Sequence, residues 1–482
     1  MRRLLLSAFL VSALFAGCLD SGPDDAGDVA PAGMRGSSYT GPGTLFAGPA
    51  LYEDPQNTPH PAYNWPTLSH PAVGPDVPYW WQPINASALP GTVTGMEHLT
   101  DTPGVDVGAG IALFGRLAVI PGYSTGPPQV TGSNPPNPSS IVDISDPAHP
   151  KLLSTFESQL GGHRGAIIIA YPTGRLVTVI STGSGLDVWD ITDPTTPQPL
   201  VPVEIGSHKV GVVPGTPFVY NARSAGGGTG TGVSEMTANQ KTEMFDFSDP
   251  ENVVRMPDFE NGFSCHHIYF WNNVTQGKYR SICAAYSYTQ IIDTTDPAHP
   301  KVIVNVPFGH GMAGVPPAYD VLSFSHYAGL SVDGTILLVG DEHGGGTGPI
   351  GCVAAVDTPL GRVSPPVGAV WFYDVSVETD PQLKGWVTAS QLEKQGVDGA
   401  QASCTAHHGR LLPTPGRDVL AMSFYGAGVV LIDFTPVRTE TLGFPVVLDQ
   451  FADDSDTWET WYYQGYLFTG DLNRGMDVLR IT

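Results

Sequence analysis

Positive charge is what this 482-residue chain has least of: 22 lysines and arginines stand against 46 aspartates and glutamates, for a formal net charge of -24. A phosphate backbone would be repelled by such a surface, which excludes nucleic acid as a partner, whereas cations and water are favoured. Long helical periodicity is also missing, which argues against a helical architecture. So are the common catalytic signatures: there is no GxSxG elbow, no HExxH pair, no Walker-type loop and no dinucleotide fingerprint. The glycine run Gly226 to Gly232 leads into no helix and no lysine, so it is a surface loop rather than a phosphate cradle, and Gly344 to Gly346 is read the same way.

Glycine (58), proline (45) and a 41% hydrophobic content are present instead, the balance of many short strands joined by tight turns. The stretch Gly185 to Pro197, GLDVWDITDPTTP, returns along the chain as VDISDPAHP (Val142 to Pro150), FDFSDPENV (Phe245 to Val253), IDTTDPAHP (Ile292 to Pro300), YDVSVETDP (Tyr373 to Pro381) and IDFTPVRTE (Ile432 to Glu440). The chain closes on GMDVLRIT. The repeated acidic position is Asp143, Asp190, Asp246, Asp293, Asp374 and Asp433, with Arg480 in the seventh place, at spacings of 47, 56, 47, 81, 59 and 47 residues. A period in the forties, lengthened where a loop is inserted, is the size of one four-stranded propeller blade. Seven units predict an all-β, seven-bladed propeller of four-stranded antiparallel blades over residues 91–482. In each unit an alternating strand is stopped by Asp-Pro, because proline donates nothing to the ladder and aspartate caps the turn through its side chain.

The ends carry their own signals. Residues 1–17 have Arg2 and Arg3, an apolar run from Leu4 to Phe15 and small residues before Cys18, the pattern of a secretory signal peptide. Phe15-Ala16-Gly17-Cys18 resembles a prokaryotic lipobox, with Phe15 where leucine is usual; Cys18 is then the lipidated residue and the membrane a partner through that anchor. Residues 18–90, rich in Gly and Pro, are read as a tether. The last unit supplies three strands from Thr457 onward, so the ring is expected to be closed by an N-terminal strand, with Thr92 to Leu99 the candidate. After Cys18, four cysteines remain and allow three pairings. Position within the units favours Cys265 with Cys283 and Cys352 with Cys404, both structural and both implying an oxidising compartment.

The most specific segments are SCHHI (Ser264 to Ile268), SHYAGLSVDG (Ser325 to Gly334), GDEHGGG (Gly340 to Gly346), WFYDV (Trp371 to Val375), SCTAHH (Ser403 to His408) and WYYQGYLFTGDLNRGMDVLRI (Trp461 to Ile481). With the repeated units, they make the chain from about Thr92 to Thr482 similar to secreted prokaryotic LVIVD-repeat propellers, some with varied surface anchors. The resemblance implies a fold and an extracytoplasmic, membrane-anchored location, at the cell surface or in the periplasm; it implies no settled activity.

Histidines form the best functional constellation. His163, His208, His266, His326 and His407 each stand just before the apolar strand that opens a unit. The first strand of a blade lines the channel, so these side chains are expected to ring one mouth of it. Asp341, Glu342 and His343, and the polar group Asp471, Asn473 and Arg474, lie in loops expected on the same face. Such a set suits one transition-metal ion or, through its carboxylates, calcium. The alternative is that the histidines bond to backbone and fix blade packing; His267 and His408 are assigned to packing or solvent. Two function classes follow: a surface-tethered binding or scaffold module presenting its channel face to an extracellular protein, peptide or glycan, and a metal-dependent oxidoreductase or hydrolase using the histidine mouth.

Overall fold

The repeated aspartate does the same thing six times. Asp143, Asp190, Asp246, Asp293, Asp374 and Asp433 each accept, through Oδ1, the backbone N–H two residues on, at 2.8 to 3.0 Å. Each third strand is thereby ended by an Asx turn, and the chain reverses into the fourth. In the seventh place Arg480 pairs outward with Glu97 instead.

These turns belong to a computed structural model that describes residues 55–482 and the strand Thr44–Leu45. Residues 64, 74–76, 106, 124–136, 224–240, 263, 286–287, 308–323, 343–355, 359–360, 364–367, 390–403, 441–442, 444 and 453–454 are not among those described. Seven four-stranded antiparallel sheets make an all-β propeller. Blade 1 is Ala112–Phe114, Leu117–Ile120, Ser139–Asp143 and Lys151–Phe156; blade 2 opens on His163–Ala170, blade 3 on Lys209–Val212, blade 4 on His267–Asn273, blade 5 on Ser325–Leu330 and blade 6 on Gly409–Leu412. In blade 7, Thr457–Tyr463, Tyr466–Asp471 and Asp477–Ile481 are joined by Met96–Asp101, which pairs antiparallel with the C-terminal strand. That outer strand overlaps the Thr92 to Leu99 candidate, beginning four residues after its start and ending two residues past its end.

Second and third strands are buried almost throughout, for instance Leu176–Thr182 and Val429–Ile432, because each sheet is covered on both faces by its neighbours. Aromatic side chains tie successive blades: the Tyr171 hydroxyl donates to the Phe247 carbonyl, Tyr220 to Pro297, and the Trp271 indole to Ser331. Each couples a blade to the turn of the next, so the ring transmits order from blade to blade.

Much of 55–90, the segment expected to be a tether, lies along the propeller. Asn272 donates to the carbonyls of Pro55 and Thr58, His60 and Trp65 bond to Pro214 and Gly215, and Ser87 bonds to Gln464. Trp81 is 2% exposed and meets Phe114 edge to face at 5.1 Å. These contacts fall at the ends of the inner strands away from the histidines, so the strap leaves that mouth to the site. Cys265–Cys283 is a disulfide that joins the lead into the first strand of blade 4 to its second strand, Lys278–Ala285. Cys404 is disulfide-bonded, while Cys352, Cys18 and residues 1–17 lie outside the described residues.

Candidate metal centre

The site is built where the inner strands begin. In blades 2, 5 and 7 the first and second strands slip register at that point, between His163 and Gly165, Ser325 and Tyr327, and Thr457 and Glu459. A β-bulge re-aims the extra residue, and the three re-aimed residues are Arg164, His326 and Trp458. Together with His208, Lys209, His266, His267 and His408 they line one pocket.

His163 therefore does not join the ring. It is fully buried one residue earlier, with Nδ1 at 2.5 Å from Ser139 Oγ and Nε2 at 3.0 Å from Asp187. This is the blade-packing role that was the alternative for all five, and Arg164 takes the expected place. The other four converge. Ring centroids are 3.9 Å apart for His208 and His266, 4.5 Å for His266 and His326, and 4.0 Å for His326 and His407. His408 lies 4.1 Å from His407 and 4.5 Å from His267, so the two histidines assigned to packing complete a cluster of six.

Two overlapping sets have nitrogens within 4.8 Å of one another: His208, His266 and His326, and His326, His407 and His408. Their hydrogen bonds distinguish them. His326 Nδ1 donates to the His407 carbonyl at 3.3 Å, and His407 Nδ1 donates to the Trp458 carbonyl at 2.5 Å. A backbone carbonyl only accepts, so both Nδ1 atoms carry the proton and both Nε2 atoms keep a lone pair, the tautomer a metal needs. His408 Nδ1 is bonded to the Tyr269 hydroxyl. His208 is the opposite case: Arg164 donates to its Nδ1 at 2.6 Å, leaving the neutral ring's proton on Nε2. His326 and His407 are thus prepared to ligate through Nε2, and His208 through Nδ1 is not.

Glu342 completes that set. Its carboxylate lies 3.6 Å from His326 Nε2 and 3.7 Å from His407 Nε2 and accepts the Tyr425 hydroxyl. Tyr425 has φ of 49°, the left-handed region costing about 1–2 kcal/mol for a residue with a Cβ. Paired bonds between the backbones of Tyr425 and Thr457 hold it there. Asp341 accepts the N–H groups of Phe324 and Gly368 through its carboxylate, which fixes the segment that carries Glu342. Asp471 is the same device in blade 7, accepting N–H bonds from Asp456, Asn473 and Arg474 and the Thr457 hydroxyl, while Arg474 turns to Asp477 and His98. His343 lies outside the described residues.

Burial sets the protonation states. It holds His208, His266, His267, His407 and His408 well below the usual imidazole range, with the nearby cations and neighbouring imidazoles adding to the effect. It takes His326 down to about 3 and lifts Glu342 to about 7. At neutral pH the cluster is therefore uncharged imidazole, which can accept a cation without first losing protons. Below it, Lys209 Nζ bonds Glu459 at 2.6 Å, with Arg410 3.8 Å from the same carboxylate and over the Trp461 ring.

The family model for the LVIVD repeat matches residues 140–158, which is the third strand, Asx turn and fourth strand of blade 1. The chain carries an LVIVD repeat. In this LVIVD-repeat propeller the repeat builds the outer half of a blade, away from the histidines, so the family match says nothing of the channel. No curated protein matches the chain. LVIVD-repeat proteins are typically extracellular, and the Cys265–Cys283 disulfide fits that setting.

Proposed function

We propose that this extracytoplasmic propeller is a metal-binding module, seating one transition-metal ion on the Nε2 atoms of His326 and His407, with His408 and Glu342 at the same seat. A buried, neutral, three-imidazole set carries this reading: His326, His407 and His408 are all at most 2% exposed. An ion reaches such a pocket and a peptide or glycan chain does not, which ranks metal above the macromolecular ligands for the channel face. Imidazole nitrogen suits copper, zinc, iron or nickel; with the three imidazoles as the ligands and Glu342 as the carboxylate beside them, a position stays open for water or substrate, the condition for a metal-dependent oxidoreductase or hydrolase. Lipidation at Cys18 would hold the module at the membrane.

Elemental analysis of the untagged chain from Leu19 onward, purified from an oxidising compartment, tests the reading. The expected result is about one equivalent of metal, lost in the doubly substituted His326→Ala, His407→Ala chain. A folded wild-type chain that neither carries nor takes up copper or zinc overturns it.

A further inference from the structure

On the solvent side of the same mouth, Arg164 and His208 present only donors. Arg164 forms no ion pair with a carboxylate among the described residues, and its one side-chain hydrogen bond is to His208 Nδ1 at 2.6 Å. By contrast Lys209, the other cation lining the pocket, is matched by Glu459. A guanidinium has five N–H groups in a planar fork that fits an oxyanion, and here most of them are unspent. Because Arg164 donates to Nδ1, neutral His208 keeps its proton on Nε2, a further donor at the mouth. Both residues are partly exposed, while the imidazoles of the metal seat beneath them are buried. The mouth is therefore graded, with donors above and lone pairs below.

We propose that Arg164 and His208 form an anion seat, so that the open position of the metal takes a small carboxylate or oxyanion bridged to the Arg164 guanidinium. This rests on the metal reading and names the class of molecule the ion would bind. Charge supports it. A divalent ion and Arg164 add positive charge beside Glu342, whose carboxylate is already shared with the Tyr425 hydroxyl, in a largely buried site where uncompensated charge is costly, and an incoming anion offsets it.

The test uses the chain loaded with copper(II) and titrated with azide, followed by the charge-transfer band, and separately with formate by calorimetry. Arg164→Gln is expected to weaken both anions at least ten-fold and leave copper affinity within three-fold, which also reports that the variant is folded; Arg164→Lys is expected to restore part of the loss. Equal anion affinity in wild type and Arg164→Gln overturns the seat. If the wild-type chain takes no copper, the metal reading fails and the seat is judged on the metal-free chain: formate binding weakened ten-fold by Arg164→Gln supports it, and no formate binding, or binding indifferent to Arg164, overturns it.

Discussion

His326 and His407 stack with ring centroids 4.0 Å apart and an interplanar angle of 30°, and the first donates through Nδ1 to the backbone carbonyl of the second. One contact thus sets the tautomer of His326, and the bond of His407 to Trp458 sets the other. The two lone pairs then face one carboxylate, Glu342. Like imidazoles packed this closely are tolerated because they are neutral; protonating either would place a charge against five other rings.

The seat should be divisible by substitution. His326→Ala and His407→Ala are each expected to weaken copper or zinc binding by 100-fold or more, whereas His208→Ala should change it by only a few-fold, since its Nδ1 is already occupied by Arg164. Competition with a chromophoric chelator reads both. A His208 effect as large as that of His407 would place the ion in the other set.

Acid should destabilise the metal-free chain earlier than its carboxylates alone would dictate. Six imidazoles have folded pKa values below the ordinary 6.5, so the unfolded chain binds more protons as pH falls. Their stabilisation is present above 6.5 and is lost progressively on the way down, reaching about 3 for His326. Glu342 acts oppositely: its folded value of about 7 lies above its ordinary 4.5, so its contribution is present below 4.5 and fades as pH rises towards 7. Six groups outweigh one. Urea midpoints should therefore fall clearly between pH 7 and pH 4.5, and a flat profile over that range would contradict the neutral cluster.

Trp81 anchors the strap. Trp81→Ala removes a ring buried against Phe114 and is expected to lower stability by about 3–5 kcal/mol. Metal affinity of the folded fraction should not change, because the strap contacts lie at the opposite ends of the inner strands. Chemical unfolding with and without zinc separates the two effects.

The Cys265–Cys283 bridge spans 18 residues and sits directly before His266. Replacing both cysteines by serine should cost about 3 kcal/mol, the loop-closure value for that length. Thermal melts with and without a reductant check this: the wild type should fall on reduction more than the doubly substituted chain does.

The blade repeat was legible because the Asx turn needs its aspartate in six of the seven copies, and a spacing of 47 recurs between the units that carry no long insertion. Convergence of His208, His266, His326 and His407 followed from their place before each inner strand. His163 was misplaced by one residue because a β-bulge is a property of pairing, and nothing in HRGAIIIA announces that Arg164 is the residue pushed out. His267 and His408 were undervalued for a related reason: alternation alone puts neighbours on opposite faces, yet near the axis of a ring adjacent positions both approach the channel. Tyr425 and Trp458 carried no motif. Their roles arise from blades 6 and 7 meeting in space, and the strap of 55–90 was hidden by a composition that usually means a loose linker.

The Lys209–Glu459 pair joins residues 250 apart in sequence, from blades 3 and 7, which lie on nearly opposite sides of a seven-membered ring. It works as a diametric strut. A ring of weakly coupled blades deforms most easily by becoming oval, and that distortion would pull the imidazoles above it apart by the fraction of an ångström that separates binding from not binding. A bolt between blades 3 and 7 stiffens that mode and so holds the spacing of the imidazoles.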